Sequence, residues 1–305
     1  EAMQQSLAFD FQDIANLEQF PVNYLSLTSN SADERYQKLS AANLILDFSA
    51  SGAVERRLSI DNSTPPRLSV YLVPSGKYCI ASYEGEGRTV RLDDLNQQLM
   101  AKIAAESEFQ DVFESDENKF QYAGSCRDLS KVISNDWFLG YAGVVSKFIK
   151  NNMGGRIPRL SLFRWQENPQ CLLENLILID SVIISESKKW KIHTSESVLN
   201  QMKEFRNNGL PNETGGVLLG KIDFAEKIIY ISYVLSSPPD SKEWPFAYIR
   251  GVRGLDQEVK RIASVTKGAI TYIGEWHSHP SGVSVRPSKD DKISLKWLAD
   301  IQSSI

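Results

Sequence analysis

The chain has 305 residues, of which 42% are apolar and 24% charged, and a formal net charge of −4. Such values suit a globular protein of about two domains. They exclude a nucleic-acid footprint, which needs a basic stretch that is missing here, and a spanning helix, which needs about 18 apolar residues in a row.

The first residues, EAMQQSLAFDFQD, have neither a basic start nor a long apolar centre, so no secretory signal is expected. Three cysteines, Cys79, Cys126 and Cys171, are too few and too scattered for a disulfide framework. A reducing, cytoplasmic setting is the expectation.

In chain order, VNYLSLT (22–28) predicts a strand, and the polar stretch 31–42 a helix. LILDF, within 42–51, is a short apolar run closed by an acid and small residues; it predicts a buried strand that delivers Asp47 to its C-terminal end. Residues 51–59 predict a helix capped by Ser51. Strands follow at 67–74 and 78–85, and the strand–helix–strand order predicts an α/β unit on a parallel sheet. Helices are expected at 91–111 and 129–152, a returning strand at 156–168, and one more apolar, β-branched segment at 174–186.

The rhythm then changes, and the expected domains are 1–186 and 187–305. Residues 190–209 carry a helical stripe at 198, 199, 202 and 205, with Thr194 or Ser195 as cap and Gly209 as terminator. Strands at 213–223 and 227–237 are joined by a charged turn. A helix at 255–268, a strand at 269–279 and a last helix at 292–300 complete an α+β unit with a mixed sheet.

Two of the three histidines, His277 and His279, close the strand at 269–279. On a strand, residues two apart point to one face, so both imidazoles can aim at one centre. Zinc takes neutral imidazoles and a carboxylate, and a catalytic zinc keeps one position open. Asp290 and Asp291, beyond a loop stiffened by Pro280 and Pro287, are both available as the carboxylate. Histidines that bind nothing carry the same spacing, so the pair alone does not decide.

The stretch His277-Ser-His279-Pro280, a loop, and Ser288-Lys-Asp-Asp291 resembles the signature of the JAMM (MPN-type) zinc metallopeptidases, whose pattern is HxH, a spacer and SxxD. That family also carries an earlier glutamate before a small residue, glycine and an apolar run. Glu213-Thr-Gly-Gly-Val-Leu-Leu-Gly matches it, 64 residues before His277. The resemblance covers residues 190–305. It implies that His277, His279 and Asp291 bind zinc, that Glu213 is the general acid and base, and that Ser288 stabilises the oxyanion. It also implies cleavage after the C-terminal glycine of a ubiquitin-like protein. The aromatic and basic stretch 244–254 could line a substrate groove, with packing in the core or in a turn as the favoured alternative for Trp244 and Phe246.

Residues 42–80 resemble the second half of a ThiF-like, ubiquitin-activating adenylation domain, so the expected fold is a partial Rossmann-like domain followed by a JAMM-type domain. Asp47 would then lie near nucleotide and magnesium, with helix capping as its alternative role. No G-x-G-x-x-G is present and residues 1–20 are too short to hold it. The expectation is a fragment or remnant that does not turn over ATP, an ATP/Mg site belonging to a longer parent chain. Cys126, in the polar segment AGSCRDLS beside Arg127, would be the thioester cysteine of such an enzyme. The paired modules resemble bacterial ubiquitin-like conjugation systems, some of them in antiphage defence. Expected partners are a ubiquitin-like protein, a conjugating enzyme and a second copy as homodimer, with no nucleic acid and no membrane. The competing reading is an activating or transfer enzyme that works through Cys126, with the JAMM-type domain as accessory processor.

Overall fold

A computed structural model describes residues 34–63, 65–114, 135–167, 170–187 and 189–283, with short pieces at 24–26, 120–121, 130–131, 286 and 292. All but the first residue of the expected helix at 292–300, and the residues Cys126, Ser288, Asp290 and Asp291, lie outside the described residues.

Two five-stranded sheets organise the chain. The first has the order β1 (Ile45–Asp47), β2 (Arg67–Leu72), β3 (Tyr78–Tyr83), β6 (Arg159–Glu167), β7 (Gln170–Ile177). A separate two-residue pair, β4 (Phe120–Gln121) with β5 (Ser130–Lys131), lies between β3 and β6 in the sequence. The second sheet has the order β14 (Thr271–His277), β10 (Gly215–Asp223), β11 (Ile228–Leu235), β9 (Trp190–Ser195), β8 (Val182–Ser187). The helices are α1 (Glu34–Ser40), α2 (Gly52–Ile60), α3 (Leu92–Ala105), α4 (Asn135–Asn152), α5 (Glu196–Gly209) and α6 (Leu255–Val265).

The first sheet differs from the parallel one expected. Only β1 and β2 run parallel, while β2–β3, β3–β6 and β6–β7 are antiparallel. The reason is local. A parallel return needs a crossover of about a dozen residues or more, and only 73–77 separate β2 from β3. There Val73 accepts from the Gly76 amide at 2.8 Å, and Gly76 takes φ +70°, so the chain reverses at once.

The central strands β2, β3 and β6 are covered on both faces, which accounts for their nearly continuous apolar runs. Tyr71, Tyr78, Ile80, Leu160 and Leu162 face α3. Leu68, Val70, Cys79, Ala81 and Phe163 face α4 through Tyr141, Val145 and Phe148.

Helix α3 also packs on the second sheet. Leu95, Leu99 and Ile103 share one core cluster with Val217 and Leu219 of β10, Ile262 of α6 and Ile270. The apolar segment expected as one piece at 174–186 is broken between Ile177 and Val182, where the chain passes from the first sheet to the second. Gln98 of α3 holds that crossing by donating to the Asp180 carbonyl at 3.1 Å and accepting from its amide at 2.8 Å.

The second sheet is mixed, with β11–β9 parallel and its other pairs antiparallel. The stretch 190–209 divides into β9 and α5 at Ser195, whose hydroxyl accepts from the Val198 amide as the helix cap. Tyr24–Ser26 form one 3-10 turn rather than part of a strand, with Tyr24 packed against the core. Among the described residues no helix is long and apolar enough to cross a membrane.

Candidate active site

The pairing of β10 with β14 builds the site. Gly215 lies opposite His277 and Gly216 opposite Trp276. Past the ladder, Ser278 donates its amide to the Thr214 carbonyl at 2.7 Å. Extending that register by one more residue sets Glu213 opposite His279. The Glu213 Oε1 to His279 Nδ1 distance is 3.2 Å, and the rings of His277 and His279 have centroids 5.0 Å apart at 59°. Residues remote in sequence thus meet because two antiparallel strands end together.

Glu213 is only 6% exposed, and its amide donates to the Trp244 carbonyl at 2.8 Å. His277 is exposed and His279 half-buried. Although Glu213 is close to His279 Nδ1, that buried nitrogen has no hydrogen-bond partner. An orphaned imidazole nitrogen and a second imidazole beside it fit a divalent ion of the zinc type, with a buried carboxylate close by. Among the described residues no cluster of three ligands forms, and the expected third, Asp291, lies outside them.

The glycines after Glu213 are required by close approach. A Cβ on Gly215 would stand 2.4 Å from the Trp276 carbonyl oxygen and 2.5 Å from the Tyr248 ring. One on Gly216 would stand 1.9 Å from the Leu235 carbonyl oxygen.

Helix α5 braces the other side. Phe205 stacks on Trp276 with centroids 6.1 Å apart, and Trp276 Nε1 donates to the Leu235 carbonyl at 3.2 Å. Arg206, one residue on, donates to the carbonyl of His279 at 3.1 Å. Sequence reasoning missed Phe205 as a support and Arg206 altogether. Only the helical stripe pointed at the first, and nothing in the local pattern distinguishes the second.

Beside the site stands a hairpin of β12 (Lys242–Trp244) and β13 (Ala247–Ile249). Trp244 is 46% and Phe246 84% exposed. Neither is a packed turn residue.

The remaining expected residues are elsewhere. Asp47 is buried at the end of β1, and its Oδ1 accepts from the Ser49 amide at 2.9 Å, a local turn ahead of the Ser51 cap of α2. Cys79 is buried between sheet and helix, and burial pushes its thiol up to about 12, so it is no nucleophile. His193, the third histidine, is also buried, with Nδ1 2.8 Å from Asp94 of α3.

Residues 195–301 match the family described as prokaryotic homologs of the JAB domain. A curated protein named "CD-NTase/cGAS isopeptidase", from Enterobacter hormaechei subsp. hoffmannii (strain UCI 50), is 34% identical over 120 residues, 39% of this chain and 64% of that protein. The chain thus spans less than two thirds of the length of this relative.

Proposed function

We propose that the chain is a zinc-dependent peptidase that opens the isopeptide or peptide bond following the C-terminus of a ubiquitin-like protein. The observation that carries this reading is the buried carboxylate of Glu213 set 3.2 Å from one of two adjacent imidazoles by the β10–β14 pairing. The match to prokaryotic homologs of the JAB domain supports it, as does the isopeptidase name of the relative. That name also suggests the class of substrate here, a conjugate in which a nucleotidyltransferase of the CD-NTase kind is the modified protein.

A zinc ion held by His277, His279 and Asp291 would supply Lewis acidity, polarising the scissile carbonyl and lowering the pKa of the attacking water. Glu213 accepts the proton of that water and returns it to the departing amine, the two halves of general base and general acid work. Burial keeps this carboxylate out of bulk solvent, so the proton it takes passes to the substrate. Ser288 donates to the oxygen on which charge develops. Trp244 and Phe246 offer exposed apolar surface to the incoming modifier, next to the strand end that carries Glu213.

Ubiquitin-like proteins with C-terminal extensions test the reading, with wild type run beside Glu213→Gln and zinc measured on both. Cleavage by wild type alone, with zinc in both, is expected. A zinc-free wild type would remove the ligand assignment, and cleavage by Glu213→Gln at the wild-type rate would remove Glu213 from the chemistry.

A further inference from the structure

We propose that Arg206 is a positioning residue, whose guanidinium bridges the His279 carbonyl and the Ser281 hydroxyl and so sets the direction of the His279 imidazole. The inference rests on the metal-binding reading of His277 and His279 given above.

Strand β14 ends at His277, and Ser278 makes the final backbone bond to β10 through the Thr214 carbonyl. Beyond it the chain turns, with Val283 donating to the Pro280 carbonyl at 3.3 Å and Gly282 at φ +84°. No ladder holds His279, yet its ring must stay aligned with that of His277 while Glu213 approaches from across the strand end. The direction of its side chain therefore depends on what grips its own peptide.

Arg206 is that grip. Nε stands 3.1 Å from the His279 carbonyl oxygen and a terminal nitrogen 3.3 Å from Ser281 Oγ. One planar fork thus holds two points of the turn, two residues apart, with charge-assisted bonds that are about twice as strong as neutral ones. The fork is itself fixed. It stands on α5, which Ser195 caps at its start and which the Phe205–Trp276 stack binds to β14 one residue before the arginine. The rigidity of a packed helix is thereby carried across to a loop that has none of its own.

An arginine in the last turn of a helix also favours the helix dipole, and here its other terminal nitrogen lies 3.4 Å from Asn207 Oδ1. A dipole role needs charge alone, whereas the positioning role needs the two bonds to the loop.

Zinc affinity by chelator competition and the visible spectrum of the cobalt-substituted protein separate these roles in Arg206→Ala, Arg206→Lys and Ser281→Ala. Arg206→Ala is expected to keep its circular dichroism, to bind zinc about 10–100-fold more weakly, as loss of outer support does, and to show altered cobalt bands. Its kcat falls with KM unchanged. Arg206→Lys, with charge and one donor kept, recovers part of the affinity. Wild-type affinity and an unaltered cobalt spectrum in Arg206→Ala would overturn the inference, as would full recovery by Arg206→Lys, which keeps the charge but not the two-point fork. Should Arg206→Ala lose its fold, Ser281→Ala alone decides: weaker zinc binding supports the bridge, and unchanged binding overturns it. A wild type that takes up no zinc would sink the metal reading and this inference together, whereas a loaded wild type matched by its variants would sink this inference only.

Discussion

A carboxylate costs little at a strand end while water covers it, and Glu213 has lost nearly all of that water. Removing its charge as Glu213→Gln is expected to lower kcat by about 10²–10⁴-fold, the usual weight of a proton-transfer group, with zinc retained; metal analysis beside the rate measurement checks both halves. Phe246, at 84% exposure, supports nothing in the fold, so Phe246→Ala should leave the melting temperature unchanged and raise KM for a conjugate. The other telling carboxylate is Asp93, in the first turn of α3. Burial pushes it up to about 6, against the pull of Lys221 at 4.0 Å, with Asp94 and Asp223 adding to the rise. The folded protein therefore holds this proton more tightly than the unfolded chain does. Its contribution to stability is present below about pH 4 and is lost as pH rises through 6. Asp93→Asn should stabilise the protein at pH 8 by on the order of 2–3 kcal/mol, two pKa units being about that much, and change little at pH 4. Urea unfolding at both values tests this, and an equal gain at both would refute burial of charge as the cause.

At the scale of elements, the site depends on how closely β10 can lie between its neighbours. Gly216→Ala would set a Cβ 1.9 Å from the Leu235 oxygen, and forcing the strands apart is expected to cost about 1–3 kcal/mol; a thermal melt reads the loss. The motif around Glu213 was legible as a string, but its glycines were not explained by it, because the need for them arises from β11 and β14, distant in sequence. The division at Ser195 was half legible. A capping residue before a stripe marks where α5 begins, while the six residues before it, for which no strand was expected, pair with β8 and β11. Periodicity shows which side of an element is apolar, yet it does not show which strand will lie alongside.

Across the whole molecule, α3 is the shared element. It fills one face of the first sheet and one face of the second, and its polar residues reach over: Asp94 to His193 at 2.8 Å, and Gln97 accepting from Ser232 at 2.7 Å. Arg56 of α2 adds two bonds to Asp223 at the end of β10, at 2.5 and 2.6 Å. The two expected domains thus share a core. A fragment of residues 187–305 would lose β8 and expose Val217, Leu219, Ile262 and Ile270, each worth about 1.5–3 kcal/mol when buried. Such a fragment should aggregate or melt without cooperativity, as gel filtration and calorimetry would show.

By itself the sequence determined what depends on neighbours along the chain: helix caps at Ser51 and at Thr194 or Ser195, most strand positions, and the spacing of Glu213, His277 and His279 that marks the candidate chemistry. These signals are local because turns, caps and the two-residue repeat of a strand act over a few residues. Tertiary structure alone decided that α3 serves both sheets, that Trp244 and Phe246 face outward, and that Arg206 holds the His279 peptide. Each of these depends on contacts between residues far apart in the chain. Such contacts form only when the sheets have packed, because the apolar surface that drives them together carries no record of which partner it will meet.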